Sequence, residues 1–331
     1  MKRRKATISN CYWFSYAKVK SNIRIYKMSE VKNYQEVVDI ASKHLGTVGG
    51  AGYKDTYAPD LLVKIPRSLN REGYGLTGDE FVGVDTWNAY EVSAITTKGQ
   101  PVAGFLKIVC PADSEFHVES KSIKLYLNSF NMTQIADNAK DCIKGIESRV
   151  KRDLDELLET NTTVSFYASK KEVEDLSFAG YSDISEIANL DEIDFTAFKS
   201  DSSQLEGGYM DENKQGEVRF SSNLLRSNCR VTNQPDWGDI YIYLKGKDLP
   251  TPESLAKYIV SHRTVSHFHE EICEMVYSHL TEKFNPERLM VACLYTRRGG
   301  IDINPIRATH SFLIPDFFTN PIYTISKTLR Q

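Results

Sequence analysis

The sequence spells out the same order of elements twice. In each half, two strand-like runs precede two helical stretches and a closing strand, which confines the chain to a layered fold of antiparallel sheet and helix. In the first half the strands fall at 81–95 and 102–109, with Gly99 in the turn between them. Helices follow at 122–129 and 133–150, the second with Ile135, Ala139, Cys142, Ile143, Ile146 and Val150 on one face, and a strand at 162–168 closes the half. In the second half, strands at 228–232 and 239–244 lead to a helix that opens at Pro252 behind a Thr251 cap. A helix over 265–283 and a strand over 289–296 complete the repeat. Local echoes accompany it: Asp85-Thr-Trp87 against Asp236-Trp237, and Glu119-Ser-Lys against Glu253-Ser-Leu. They are faint and support shared architecture more than shared ancestry. Antiparallel sheets with paired helices on one face make an α+β fold.

The halves fall at 28–169 and 218–331, separated by an acidic stretch, 170–217, that reads as a linker or peripheral excursion. An amphipathic helix is expected over 30–45 with Ser29 as cap, then a glycine-rich loop at 46–52 whose spacing is not that of a nucleotide fingerprint. Residues 1–27 are basic, free of acid and without the apolar core of a secretory signal. They read as an extension upstream of a start at Met28, and no function is assigned to them. A net charge of −3 argues against a nucleic-acid or membrane-surface binder, both of which need a sustained positive field. No apolar run approaches the length of a bilayer span. The six cysteines are scattered with no C-x-x-C pair, as in a reduced, cytoplasmic enzyme.

Four segments carry residues suited to chemistry. Cys229 lies in Ser227-Asn-Cys-Arg-Val-Thr-Asn-Gln-Pro-Asp-Trp-Gly238; a lone cysteine is usually a buried filler, a reading that the polar neighbours weaken, since Arg230 or another cation nearby could favour the reactive thiolate. Asp236 follows in the same segment. Shielding by Trp237 would raise its pKa towards general-acid duty; capping its own turn is the plainer reading. Ser266-His-Phe-His-Glu-Glu271 is the densest titratable cluster. His269 and Glu270 can touch different parts of one ligand, His262, His267 and Cys273 can be read as zinc ligands at an unusual spacing, and a solvated helix face is also open. Glu119 opens a helix, where its carboxylate can meet a guanine-like edge while backbone donors and Lys121 face phosphate; the alternative is a capped helix with a solvated lysine. Tyr295-Thr-Arg-Arg-Gly-Gly300 ends a strand in arginines that suit phosphate, or forms a basic turn.

Together these segments resemble one family, the 7-cyano-7-deazaguanine reductases of the queuosine pathway in their long two-module form. The motifs that carry the resemblance lie at 54–71, 119–131, 227–238, 268–270 and 295–305, and the match runs from about residue 45 to the C-terminus. The block Glu119-Ser-Lys-Ser-Ile-Lys-Leu-Tyr126 is highly specific to these enzymes. The resemblance implies tandem tunnelling-fold modules with a site between them. It also implies a covalent thioimide on Cys229, with Asp236 as proton donor and His269 orienting substrate or relaying protons. Val118, Glu119, Ser120, Phe268, His269 and Glu270 would bind the deazapurine. Ser120, Lys121, Arg298 and Gly299 would contact NADPH, which is consumed twice per turnover. No metal, nucleic acid or membrane is implied, and a homodimer is expected. The competing readings are a zinc-dependent enzyme of pterin or purine chemistry on the same fold, and a purine-binding protein with an inert Cys229.

Overall fold

The computed structural model describes residue 39 and residues 54–168, 174–208 and 216–325. Apart from residue 39, the helix expected over 30–45, the loop at 46–52 and the extension 1–27 lie outside the described residues. The first half contributes strands Lys64–Pro66 (β1), Val82–Ile95 (β2), Pro101–Pro111 (β3), Phe116–Val118 (β4) and Thr163–Tyr167 (β5), with helices Ser120–Asn128 (α1) and Ala139–Leu158 (α2). Short strands Glu174–Leu176 (β6) and Ser182–Asp183 (β7) follow. The second half contributes Glu217–Ser222 (β8), Arg226–Cys229 (β9), Pro235–Lys245 (β10), Ser266–His267 (β11), Arg288–Tyr295 (β12), Ile301–Ala308 (β13) and Tyr323–Ile325 (β14). Its helices are Pro252–Ser261 (α3) and His269–Phe284 (α4).

One ten-stranded sheet runs through both halves in the order β11-β9-β10-β12-β13-β2-β3-β5, with β8 sharing the β10 edge and β7 beyond it. The halves meet at β13 and β2, antiparallel over an eight-residue ladder from Ile301↔Ala89 to Ala308↔Val82. Both helix pairs lie on one face of this sheet. Trp87, Leu106, Ile108 and Ile303 pack against α1 and α2. Ile240, Ile242, Val291 and Cys293 pack against α3 and α4. The alternation of strand side chains sets this division, since successive residues point to opposite faces. The antiparallel sheet with helix pairs on one face is the expected α+β, tunnelling-fold arrangement.

The structure departs from the periodicity in instructive places. Helix α2 begins at Ala139 because Asn138 caps it, accepting from the Asp141 amide at 2.9 Å, while the Ile135 amide instead donates to the Ile95 carbonyl and the Ile95 amide to the Thr133 carbonyl. Residues 265–268 are extended rather than helical: β11 runs parallel to β9, with His267 beside Cys229. Strand β13 is not announced by the sequence: Pro305 interrupts its pattern just after the Gly299-Gly300 turn. The acidic stretch does more than connect. Three of its apolar side chains, Ile184, Ala188 and Leu205, are buried in the second-half core, while Glu186, Asp191 and Glu192 face outward. On the sheet face away from the helices, Phe317 and Phe318 of the C-terminal segment are buried against Met290, Leu294 and Ile306. Lys107 on β3 fastens this segment by donating to the carbonyls of Phe317, Asn320 and Tyr323 at 2.7–2.9 Å.

Beneath the seam lies a buried ionic network. Asp85 on β2 accepts from Arg67 at 2.6 Å and from Arg307 on β13 at 2.8 Å. Glu274 on α4 accepts from Arg307 at 2.8 Å and from Arg71 at 2.9 Å. Each carboxylate is thereby paired with two guanidiniums in the one geometry that makes burying such charges tolerable.

Candidate active site

A pocket opens over the seam on the helix-bearing side. It is lined from the first half by Trp87, His117, Val118, Ser120, Lys121 and Lys124, and from the second by residues of β9 to β13 that include Cys229, Asp236 and Arg298. Neither half encloses it alone.

Cys229 ends β9. Its amide donates to the Gln234 carbonyl at 2.8 Å and its carbonyl accepts from Asn233 at 2.9 Å, so the hairpin to β10 fixes the cysteine's backbone. Asn233 takes the left-handed conformation that this turn requires, at φ 53°. The side chain is 9% exposed, and its sulfur lies 3.9 Å from Lys121 Nζ. Burial alone would push the thiol up. The Thr232 hydroxyl and amide, the Lys121 ammonium and the Val231 amide outweigh that and hold it below the ordinary thiol value. The cation beside the sulfur is Lys121, not Arg230. Arg230 turns away to pair with Glu271 at 2.7 Å and to donate to Asn70.

Asp236 overturns one expectation. Trp237 does not raise its pKa: on a strand it points to the other face, where the guanidiniums of Arg226 and Arg263 cover its ring at 5.7 and 5.2 Å. Burial pushes the Asp236 carboxyl up, but His269 and Arg298 pull harder, and it is held below the usual carboxylate range. His269 Nε2 stands 3.4 Å from Oδ2, and the Arg298 guanidinium pairs with Oδ1. The His269 ring is stacked on Tyr295, with centroids 3.8 Å apart and planes within 6° of parallel.

Glu271 organises the start of α4. It accepts from the Phe268 amide at 3.2 Å, as the third helical residue of a capping box does, and from His267 Nδ1 at 2.8 Å. Tyr74 meets the other His267 nitrogen at 3.0 Å. Phe268, His269 and Glu270 are thus presented to the pocket from a rigid helix end. The zinc reading is not supported by this placement. His262 is buried with Nδ1 on the Tyr258 carbonyl, and Cys273 points at the carbonyls of Val291 and Pro305. Among the described residues no group of three or more His, Cys, Asp or Glu could hold a metal ion.

Glu119 lies just outside the pocket lining. Its Oε2 accepts from the amides of Lys121 at 3.0 Å and Ser122 at 2.7 Å, capping α1. The capped-helix reading describes its contacts here, but Lys121 is half-buried and its ammonium faces the thiol. Gly299 is likewise not among the lining residues. It forms, with Gly300, the positive-φ turn between β12 and β13, at φ 57° and 75°, and that turn carries Arg298 into the pocket. The other proposed residues, Val118, Ser120, Lys121, Cys229, Asp236, Phe268, His269, Glu270 and Arg298, all line it.

Sequence reasoning missed two of the lining groups that carry charge or polar atoms. Lys124, one turn after Lys121 on α1, reads as an ordinary helix-surface lysine. Instead burial, with Arg298 and Lys121 alongside, pushes its ammonium down to about 8. His117 sits alone in a short apolar strand; its spacing two residues before Glu119 was the only signal.

Two family models match the chain. One, described as nitrile reductase, 7-cyano-7-deazaguanine-reductase N-term, matches residues 53–166, and one described as QueF-like protein matches residues 235–312. A protein of Hahella chejuensis named NADPH-dependent 7-cyano-7-deazaguanine reductase is 39% identical over 277 residues, covering 83% of this chain and 96% of its own length. Proteins of the same name from Rickettsia bellii and Colwellia psychrerythraea are 40% and 35% identical, covering 78% and 90% of this chain and 90% and 99% of their own.

Proposed function

This chain belongs to the NADPH-dependent 7-cyano-7-deazaguanine reductase family, and from that premise we propose that it reduces the nitrile of 7-cyano-7-deazaguanine to the aminomethyl group through a thioimide on Cys229, as a cytoplasmic step of tRNA queuosine biosynthesis. The observation that carries the mechanism is a lowered thiol, 3.9 Å from an ammonium, in one pocket with the Asp236–His269 pair.

A nitrile is a weak electrophile, and covalent capture turns it into a better hydride acceptor. The Cys229 thiolate adds to the nitrile carbon: a C–S bond forms, one C–N π bond breaks, and the nitrogen takes a proton. Asp236 supplies that proton. Because Arg298 and His269 hold it ionised, it must first be protonated, and His269 Nε2, facing Oδ2, is the route. After the first hydride the C–S bond breaks, returning the thiolate and leaving an imine; after the second, the nitrogen takes up its last proton to give the amine.

NADPH, when bound, supplies the two hydrides in successive binding events. The residues present fit it. Lys124 is half-buried and, among the described residues, makes no hydrogen bond or ion pair, and Lys121 and Arg298 converge on the same pocket. Such a cluster of cations calls for phosphate oxygens. Ser120 completes the cofactor side, and Gly299 lets the chain approach closely. Phe268, Val118 and Glu270 hold the deazapurine, with Glu119 behind them. A homodimer acting on the free base, without contact to nucleic acid, is the assembly we infer.

Two measurements test the reading. Intact mass after incubation with the nitrile in the absence of NADPH should rise by the mass of the ligand, since the reaction is an addition. NADPH should then be oxidised only when the cyano base is present. A chain that forms no adduct and oxidises no NADPH does not have this activity.

A further inference from the structure

His117 and Glu270 face each other across the module boundary. His117 stands on β4 opposite Ile65 of β1; Glu270 is in the first turn of α4. Both side chains are about 95% buried and both line the pocket. Nδ1 of one lies 3.8 Å from Oε1 of the other, too far for a hydrogen bond, and neither atom has a hydrogen-bond partner. The His117 ring is fixed edge-on against Phe268, with centroids 5.2 Å apart and planes at 75°. Folded proteins keep few buried polar atoms unmatched, and when they do the reason is often a ligand. Two of them side by side on one pocket mark where a ligand's own polar atoms go.

The chemistry of the two atoms says which edge fits. A carboxylate accepts. Beside it, imidazole Nδ1 carries its hydrogen, because a carboxylate 3.8 Å away favours that tautomer. Read along the pocket wall, the pair offers a donor followed by two acceptor oxygens. A guanine-like edge offers the complement: the 6-oxo acceptor, then the N1–H and 2-amino donors. An adenine-like edge, with a 6-amino donor and a bare N1, mismatches both groups. We propose that His117 is a specificity-determining residue that donates from Nδ1 to the 6-oxo group of the base, while Glu270 accepts from N1–H and the 2-amino group. This deepens the functional reading above and rests on it.

The test uses equilibrium binding of two unreactive bases to the full chain. 7-Deazaguanine carries the 6-oxo group; 7-deaza-6-thioguanine keeps both donors but replaces oxygen with a weakly accepting sulfur. The wild-type chain should prefer the oxo base by about tenfold, the size of one hydrogen bond in a site built for it. His117→Phe keeps a ring against Phe268 but removes the donor, and should erase that preference by weakening the oxo base alone. His117→Asn, which places an amide donor near the position of Nδ1, should restore much of it. Matching thermal midpoints would establish that the variants are folded. Should His117→Phe retain the preference, or weaken both bases equally, His117 is a packing residue and the proposal fails while the functional reading stands. A wild-type chain that binds neither base overturns both.

Discussion

His269 Nε2 stands 3.4 Å from Asp236 Oδ2, and a coplanar stack on Tyr295 prevents the imidazole from swinging away. The two residues are therefore held as one unit, with Arg298 drawing on the other carboxylate oxygen, and in the mechanism proposed above they handle the proton together.

Asp236→Asn should slow thioimide formation by about 10² to 10⁴, the usual worth of general acid catalysis, and leave nitrile binding largely intact. His269→Gln should cost a comparable factor, and the double variant little more than either single one, because residues of one unit are not additive. Rapid-mixing measurement of adduct formation checks this. Fully additive losses would separate the two residues' roles.

Cys229→Ala should abolish both the adduct and turnover. Lys121→Met removes one of the influences that lower the thiol, so its ionisation moves up and the thiolate fraction at neutral pH falls. The rate of iodoacetamide alkylation, followed from pH 5 to 10, should show a midpoint below that of an ordinary thiol in the wild type and a higher one in Lys121→Met. Coincident profiles would remove Lys121 from the activation of Cys229.

Lys124→Met and Arg298→Met should weaken NADPH by about tenfold or more, the loss expected of a charge-assisted hydrogen bond. For Lys124→Met, adduct formation from the nitrile alone should change little. Fluorescence titration with NADPH, set beside intact mass with the nitrile, reads both. A variant that loses the nitrile first would overturn the division of the pocket into cofactor and base sides.

Burial works against ionisation of Asp85, yet Arg307 and Arg67 hold its carboxyl down to about 2. The folded value lies below that of an unfolded aspartate, so its stabilisation is complete above the unfolded value and is lost as pH falls towards 2. The loss should amount to about 2 kcal/mol. Asp85→Asn strands two guanidiniums and should cost about 3–5 kcal/mol near neutrality. Urea midpoints of the two proteins should draw together between pH 5 and pH 2; a constant gap would show that Asp85 is not ionised in the fold.

Much of this arrangement is legible in the sequence because local pattern and chemistry coincide. Alternating side chains announce β2, β3 and β10, and Thr251 caps α3 as its position predicts, accepting from Ser254. Cys229, Asp236, Ser120, Lys121 and the run from Phe268 to Glu270 stand in motifs, and the fold brings them to one pocket. What stays hidden depends on distance along the chain. The state of Asp236 is set by His269 and by Arg298, the latter 62 residues further along, so the sequence suggests a raised acid where the structure has an ion pair. Lys124 looks solvated until the β12–β13 turn closes over it. Strand β13 escapes notice because its ladder to β2 spans more than two hundred residues, and no local pattern encodes a partner so remote.

That ladder, with Arg307 reaching from it to Asp85 on one side and Glu274 on the other, welds the halves beneath the reactive sulfur. Cooperativity follows: the strands and charges that hold the first module are the ones that complete the second. A partly folded chain would have Cys229 without the Lys121 ammonium beside it and without a pocket to admit a nitrile. A reactive thiol is a liability in any cell, and here the ammonium that helps to lower it is brought to the sulfur only by the finished fold.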